Sequence, residues 1–448
     1  MRARRSDLLR ASTLLAASAW AAPGRASPFD VFGFGPDGTA QVSARAARAD
    51  DGTASFYNPG GLAFGRRYRF EAGSLYQLSL LRAQGKRQRF EQPFGGTLAF
   101  DSDVPLEGPL AGALRVGFGG YFLPGSLMRL ETRPRSEPFF SYYANRTERL
   151  VALPALAVRV TEWLGIGAAA NVLAGLSGPA EVKDGPSRAL ETRVDQEATT
   201  TLAANVGVQL RPSASWRFGL VYRQKFASAN GVQTASTVGG VPLSVDVDLK
   251  EAFFTPDTVV AAASFDVTER LAVEIDAAYL AWSAWRGPLM AIEAQLPGAT
   301  IRSRSDPDLW RDTWTARAAG TLRLDIGKPN EVVLGLGAGF EPSIQRAVQQ
   351  GETNMMDGDK LLVGFGARLV LPKLAARPVS FALGLQGQIV GAYSQDKQAC
   401  TVPKGCTLEQ VFGTDGDDPS AGITNPGYPT LRGSGSVWAA SLGVGVEL

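Results

Sequence analysis

Cys400 and Cys406, with five residues between them, are the chain's two cysteines, and the acidic run Asp415, Asp417 and Asp418 follows in the same stretch. Thiols at that spacing favour a local disulfide in an oxidising compartment; a pair of free thiols is the alternative. The acidic run resembles part of a calcium loop but lacks the downstream glutamate of an EF-hand, so no metal site is expected from it. The chain contains no histidine, which removes the usual general base of serine- and aspartate-assisted hydrolysis. Neither an enzyme nor a cofactor is expected.

A second set of residues bends the chain rather than making bonds. After Asp50 and Asp51 comes Asn58-Pro59-Gly60-Gly61. Pro59 has no N–H to give to a helix or a central strand, and Asn58 and the glycines favour turns. A compact segment is expected here, ahead of the first strand, where a plug lies in a membrane barrel. Asp50 and Asp51 either pin that segment through inward-facing arginines or stand in solvated loop. Phe29, Phe32 and Phe34 line a pocket floor on one reading and pack the segment against a wall on the other. For Phe139, Phe140, Tyr142 and Tyr143, exposure in a long outer loop suits first capture of an apolar ligand. Burial under other loops is the alternative.

What must position these residues is a series of alternating strands. Tyr68, Phe70, Ala72, Ser74, Tyr76, Leu78 and Leu80 share one face of a period-two segment. Leu271, Val273, Ile275, Ala277 and Tyr279 face away from Glu274 and Asp276, and Trp216, Phe218, Leu220 and Tyr222 oppose Arg217, Arg223 and Lys225. The stretch from Trp438 to Leu448 alternates likewise. One apolar face tipped with aromatics is the mark of a membrane-barrel strand. About fourteen such segments can be counted, an even number as a closed single-chain bacterial barrel requires. Short connections (161–163, 212–214, 268–269) alternate with long ones (125–148, 287–312 and, longest, 394–435). The expected fold is all-β: a transmembrane antiparallel β-barrel with an N-terminal hatch or plug segment inside it.

Arg2, Arg4, Arg5 and Arg10 precede a short apolar stretch at 11–22 with small residues Ala19 and Ala21. That is the pattern of a secretory signal cleaved after Ala21 or Ala26; it is too short for a spanning helix of roughly 20 residues. The chain thus divides into a signal peptide (1–26), a hatch (27–66) and a barrel (67–448). Removing 1–26 takes away five arginines and one aspartate, turning a formal charge of +2 into −2. The basic balance belongs to the signal, and no nucleic-acid partner is expected.

Several pieces, in order, resemble the FadL family of outer-membrane transporters for hydrophobic compounds, with its TodX-type aromatic hydrocarbon channels. They are Gly33, Gly35, Gly38 and Ala40; Ala49-Asp50-Asp51 with Ala54; Asn58-Pro59; Val116-Gly117-Phe118-Gly119 with Pro124; Pro154-Ala155-Leu156-Ala157 before Gly165-Ile166-Gly167-Ala168; Thr255-Pro256-Asp257-Thr258; and Asp276, Tyr279, Trp282 and Ser283 before Asp312-Thr313-Trp314. Family members usually carry Ala after the Asn-Pro pair, where Gly60 stands here. The resemblance implies a monomeric outer-membrane barrel of fourteen strands, inserted by the barrel-assembly machinery among outer-membrane lipids and lipopolysaccharide. It implies gating by a hatch around Asp50, Asp51, Asn58, Pro59 and Gly60, with passive uptake of a hydrophobic small molecule such as a long-chain fatty acid or an aromatic hydrocarbon. It also implies sideways release through a gap made by a kink in the third strand, where Gly117, Gly119 and Gly120 lie. Glycine weakens a strand and permits a bend, although small residues are common in barrel strands generally. A general porin for polar solutes and a surface receptor or adhesin are the rival readings. A porin needs no N-terminal hatch.

Overall fold

The computed structural model describes residues 28–65, 68–88, 92, 94–108, 111–124, 138–143, 150–184, 190–194, 197–227, 231–238, 241–248, 254–285, 291–296, 299–302, 309–346, 349–350, 354–372, 374, 377–398 and 429–447. The expected signal peptide, Cys400 and Cys406, and the acidic run at 415–418 lie outside the described residues.

Fourteen antiparallel strands form one closed ring. In chain order they are β1 (Arg69–Ser79), β2 (Phe94–Asp103), β3 (Leu114–Phe122), β4 (Val151–Arg159), β5 (Leu164–Asp184), β6 (Glu197–Leu210), β7 (Trp216–Arg223), β8 (Thr258–Asp266), β9 (Leu271–Leu280), β10 (Thr313–Asp325), β11 (Glu331–Glu341), β12 (Lys360–Leu371), β13 (Val379–Gln398) and β14 (Thr430–Glu447). Each pairs with the next, and β1 closes on β14 from Arg69↔Glu447 to Ser79↔Val437. Pairing of β4 with β5 lapses at Leu153 and Pro154, where the proline has no N–H to give.

Alternation explains why these segments become strands of a membrane barrel. Outward positions are apolar: Ile275 is 62% exposed, and Trp314, Leu202, Leu220, Tyr222, Leu442 and Trp438 are exposed as well. Inward neighbours such as Glu274 and Asp276, each 3% exposed, are polar and buried. Apolar outside and polar inside, with a period of two, inverts the arrangement of a soluble sandwich and matches a wall set in lipid. No helix among the described residues is long and apolar enough to cross a membrane.

Short connections (104–113, 160–163, 211–215, 267–270, 326–330 and 372–378) gather at one end, together with the start of β1 and the end of β14. The other end carries the longer connections, including the hairpin Gly231–Val238 with Val241–Asp248 and the pair Ala291–Leu296 with Ala299–Arg302. Strand pairing reaches into the expected loop 394–435: Asp396 pairs with Thr430 beyond a register shift between Val390 and Tyr393.

The N-terminal segment folds into short helices: α1 (Pro28–Phe32), α2 (Gly35–Ala40), α3 (Ala54–Tyr57) and a 3-10 helix (Pro59–Phe64). Gly33 and Gly35, at φ +82° and +73°, break the first two apart in a conformation that glycine adopts freely. Pro36 and Pro59 stand at helix starts, where a missing N–H costs nothing. Asn58 accepts a hydrogen bond from the Gly60 N–H at 3.1 Å and so caps the 3-10 helix.

Candidate functional site

The N-terminal segment is bonded to strands all round the ring. Asn58, fully buried, donates to the Ala46 carbonyl at 2.8 Å and to the Val208 carbonyl of β6 at 3.0 Å. Asn205 of β6 donates to the Ser55 and Phe56 carbonyls at 2.9 and 3.0 Å, and Gln209 donates to that of Ala47. From β9, Glu274 accepts the Ala47 N–H at 2.7 Å and Asp276 accepts that of Ala46 at 3.3 Å. Gln41 donates to Thr321 of β10 at 3.0 Å, and Gln388 of β13 donates to the Val31 carbonyl at 2.5 Å. Of these, Asn205, Gln209, Thr321 and Gln388 were not singled out in the sequence; the signal available was a polar residue at an inward position of an otherwise apolar strand.

At Gly60 the approach to the wall is so close that a Cβ would lie 2.7 Å from the Gly207 carbonyl and 2.9 Å from that of Gly165. The departure from the family's alanine is thus matched by a wall of backbone.

Ion pairs fasten the same segment toward the short-connection end. Asp50 meets Arg211 at 3.1 Å and Arg69 at 3.5 Å. Asp51 meets Arg45 at 3.3 Å and accepts the Thr53 N–H at 2.9 Å, closing a turn just ahead of α3. Arg368 bridges Asp37 at 3.0 Å and Glu71 at 2.7 Å. Burial alone would raise the Asp51 carboxyl, but Arg45 and Arg69 outweigh it and hold the group down at about 2. Burial opposes ionisation of Asp37 too, and Arg368 and Arg45 keep its value below the ordinary one. For Tyr57, burial pushes the hydroxyl up to about 12; it accepts the Phe34 N–H at 2.6 Å.

Phe29, Phe32 and Phe34 are all buried. Phe29 stacks on Phe34 with centroids 4.0 Å apart and meets Phe56 and Tyr121 edge-on. Phe29 also lines a cavity, described below.

The aromatic stretch after Pro138 is buried, contrary to an exposed capture surface. Phe139–Phe140 pairs in parallel with Met355–Met356. The Tyr142 hydroxyl donates to Glu341 at 2.9 Å and its ring lies under the Lys360 ammonium at 4.2 Å. Tyr143 donates to Gln388 at 2.8 Å. Met355, Met356, Trp282, Trp285 and Trp310 complete an apolar cluster at the long-connection end. There Asp357, raised by burial despite Lys360 at 2.9 Å, accepts the Ile344 N–H. Burial is the physical outcome because these rings have other loops and the barrel mouth to pack against.

Gly117, Gly119 and Gly120 do not open the third strand. Pairing of β3 with β2 and with β4 runs through all three without a register shift. The glycines make room instead: a Cβ on Gly117 would lie 2.7 Å from Leu62, and one on Gly119 would lie 2.5 Å from Ser55 Oγ and 2.6 Å from the Phe34 ring. The ladder thus shows no gap on either edge at these residues, contrary to the expected opening.

Of the inward arginines, Arg317 pairs with Glu341 at 2.5 Å and Arg217 with Asp266 at 3.2 Å. Arg223 differs. It donates to the Phe56 and Tyr57 carbonyls at 3.2 and 3.3 Å and lies over the Phe56 ring at 4.3 Å, with no carboxylate at ion-pair distance among the described residues. It lines a cavity of about 30 Å³ between the segment and β8–β10, with Phe29, Phe56 and Tyr142 and with the acids Asp30, Asp276 and Glu341. Glu274 and Asp276 spend oxygens on backbone N–H groups of the segment.

No family model matches the chain, and no curated protein matches it. Solved structures do. A FadL homologue of Pseudomonas aeruginosa aligns with a TM-score of 0.60 at 12% identity, covering 92% of this chain and 98% of that one. The toluene transporter TbuX of Ralstonia pickettii aligns at 0.52 and 14%, covering 94% and 100%, and the toluene transporter TodX of P. putida at 0.54 and 13%, covering 94% and 99%. The chain therefore has the fold shared by the FadL homologue and the toluene transporters TbuX and TodX, as its scattered sequence resemblance implied.

Proposed function

We propose that the chain is an outer-membrane transporter for hydrophobic compounds, and that its ligand is an amphiphile with one carboxylate, such as a long-chain fatty acid. The observation that carries this reading is Arg223: a half-buried guanidinium bonded to backbone carbonyls, with no carboxylate at ion-pair distance among the described residues, at a cavity that Phe29, Phe56 and Tyr142 help to line. A charge drawn out of water is costly unless something pairs with it, so Arg223 is the group that would meet the anionic end of a ligand with an apolar body. Each methylene moved from water to such a lining gains about 0.8 kcal/mol, which drives passive loading.

In the described conformation the cavity, about 30 Å³, is far below the roughly 300–1,000 Å³ of a ligand site. Loading therefore requires the aromatic cluster over it and the N-terminal segment beneath it to part. On this reading the segment is the hatch: Asn58, Pro59 and Gly60 seat it on β5 and β6, and Asp50 and Asp51 belong to its ionic fastening. A general porin fits poorly, because the segment occupies the lumen that polar solutes would cross. The names of TbuX and TodX favour a second reading, a neutral aromatic hydrocarbon as cargo, for which Arg223 has no role.

The test is uptake of radiolabelled oleate and toluene by cells lacking their own transporter. Charged hydrogen bonds contribute about 1.5–3 kcal/mol, so Arg223→Gln should cut oleate uptake by roughly 10- to 100-fold and leave toluene unchanged. Toluene uptake without oleate uptake would replace the acid with the hydrocarbon. Free passage of sugars and ions would replace both with a porin.

A further inference from the structure

At the long-connection end the chain leaving β1 folds into a small hairpin. Arg82–Ala83 pairs with Lys86–Arg87 and, on its other edge, with Gly433 and Ser434 of β14. Gln84 and Gly85, at φ +50° and +75°, form a turn of the kind that matches the twist of paired strands. Gln84 fastens it to β14: its backbone N–H donates to the Arg432 carbonyl at 2.8 Å and its side-chain amide to the Thr430 carbonyl at 3.0 Å, while its amide oxygen accepts the Arg432 N–H at 3.2 Å. Leu81 and Ala83 are buried beneath. The hairpin is therefore a fixed extension of the wall.

Register decides what the hairpin carries outward. Arg82 stands opposite Arg87 on one edge and Ser434 on the other, so Arg82, Arg87 and Arg432, two positions along from Ser434, share the outward face, and all three are exposed. Lys86, opposite Ala83, takes the other face. Like charges directly opposite each other on a sheet repel, and no carboxylate is at ion-pair distance of these arginines among the described residues. Asp396 of β13, also exposed, stands opposite Thr430, whereas Arg432 stands opposite Ser394. Below the arginines the outward face turns apolar, through Leu80, then Leu78 and Tyr76 of β1, Phe94 of β2 and Trp438 of β14. Leu78 pairs with Trp438, and Arg82 lies further along the strand by about 10 Å in height once tilt is allowed for. That is the level of the headgroups above a lipid-facing wall.

We propose that Arg82, Arg87 and Arg432 bind the phosphates of the outer leaflet's glycolipid, the lipid A part of lipopolysaccharide, whose acyl chains then lie on Leu78, Tyr76 and Trp438. Guanidinium takes phosphate in paired hydrogen bonds, and a bridging phosphate relieves the repulsion between Arg82 and Arg87. A soluble anion would have no use for the apolar wall beneath, whereas a phosphorylated lipid meets both. The site rests on the outer-membrane reading above, with the long connections outward; it does not rest on the cargo.

The experiment is native mass spectrometry of the purified full-length protein in detergent, titrated with diphosphoryl lipid A. Wild type should take up one lipid per chain, and Arg82→Gln/Arg87→Gln/Arg432→Gln should weaken binding by about 100-fold, the loss expected of more than one charged hydrogen bond. Lys225→Gln/Arg311→Gln, which removes exposed cations elsewhere at the same end, should change nothing and so separates the site from general charge. Heat-modifiable migration reports folding of each variant. If the triple variant does not fold, Arg82→Gln/Arg87→Gln enters the same titration, with weakening of about tenfold expected. Equal binding by wild type and the arginine variant overturns the site, as does equal affinity for dephosphorylated lipid A or for phosphatidylglycerol. Displacement of the lipid by millimolar inorganic phosphate would replace it with a soluble-anion site. Oleate uptake without lipid A binding would leave transport standing and remove the site; lipid A binding without oleate uptake would do the reverse.

Discussion

Asn58 Nδ2 lies 3.0 Å from the carbonyl oxygen of Val208, so a turn residue of the N-terminal segment is hydrogen-bonded to a strand 150 positions away in sequence. The same side chain also satisfies the Ala46 carbonyl and the Gly60 N–H.

Asn58→Ala orphans two buried polar groups, the Ala46 carbonyl and the Gly60 N–H, each worth about 1–3 kcal/mol when left unpaired, and loses the bond to the part-buried Val208 carbonyl. The segment should loosen within an intact barrel, and trypsin should then cut after Arg45 and Arg48 while heat-modifiable migration of the barrel persists. Gly60→Ala should act in the same direction through a clash, at a cost of about 1–3 kcal/mol. Resistance of both variants equal to wild type would show that neither seats the segment.

Acid should release the segment only at low pH. The folded Asp51 carboxyl lies at about 2 against an ordinary 3.8, and Asp37 is shifted the same way. A depressed carboxyl stabilises fully above its unfolded value and loses that contribution as pH falls through the folded one. Pepsin digestion of 28–65 should therefore be absent near pH 4 and appear toward pH 2, with Asp51 contributing about 2 kcal/mol. Release already complete at pH 5 would contradict this assignment.

Gly119→Ala places a methyl against Ser55 and Phe34. Since β3 is paired on both edges there, the segment rather than the strand should yield. The expected outcome is a lower protease-resistance midpoint for 28–65 with an unchanged strand signal in circular dichroism. A change in the strand signal instead would put the strain in β3.

Gln388 joins the outer aromatic stretch to the segment, accepting from Tyr143 and donating to Val31. Tyr143→Phe and Gln388→Ala should therefore be non-additive by about 0.5–3 kcal/mol in a double-mutant cycle on thermal unfolding. Additive effects would mean that the outer cluster and the segment move independently.

The strands were legible because alternation is local: Trp216, Phe218, Leu220 and Tyr222 against Arg217 and Arg223 suffice to give each its side. The turn at Asn58-Pro59 was legible for the same reason. The partners of Asp50 were not, since Arg69 and Arg211 come to it only through closure of the ring. What Gly117 and Gly119 make room for was not legible, because a glycine in a strand says that space is needed without saying for what, and the occupants, Leu62 and Phe34, arrive from another part of the chain. The burial of Phe139 to Tyr143 depends likewise on Met355, Met356 and Gln388, none adjacent in sequence. Arg223 could be placed inward by alternation, but its bonds to the Phe56 and Tyr57 carbonyls became visible only once the N-terminal segment had a position.

Pairing of β1 with β14 has a consequence for the order in which the molecule comes together. The seam joins the first strand to the last, so it is the contact of greatest sequence separation in the wall and among the costliest to form early. The N-terminal segment, bonded to strands from β1 to β13, has most of its partners only when those strands stand in a ring. Enclosure and wall-building are therefore one event: the segment is gathered in as the sheet curls, not threaded through a finished cylinder.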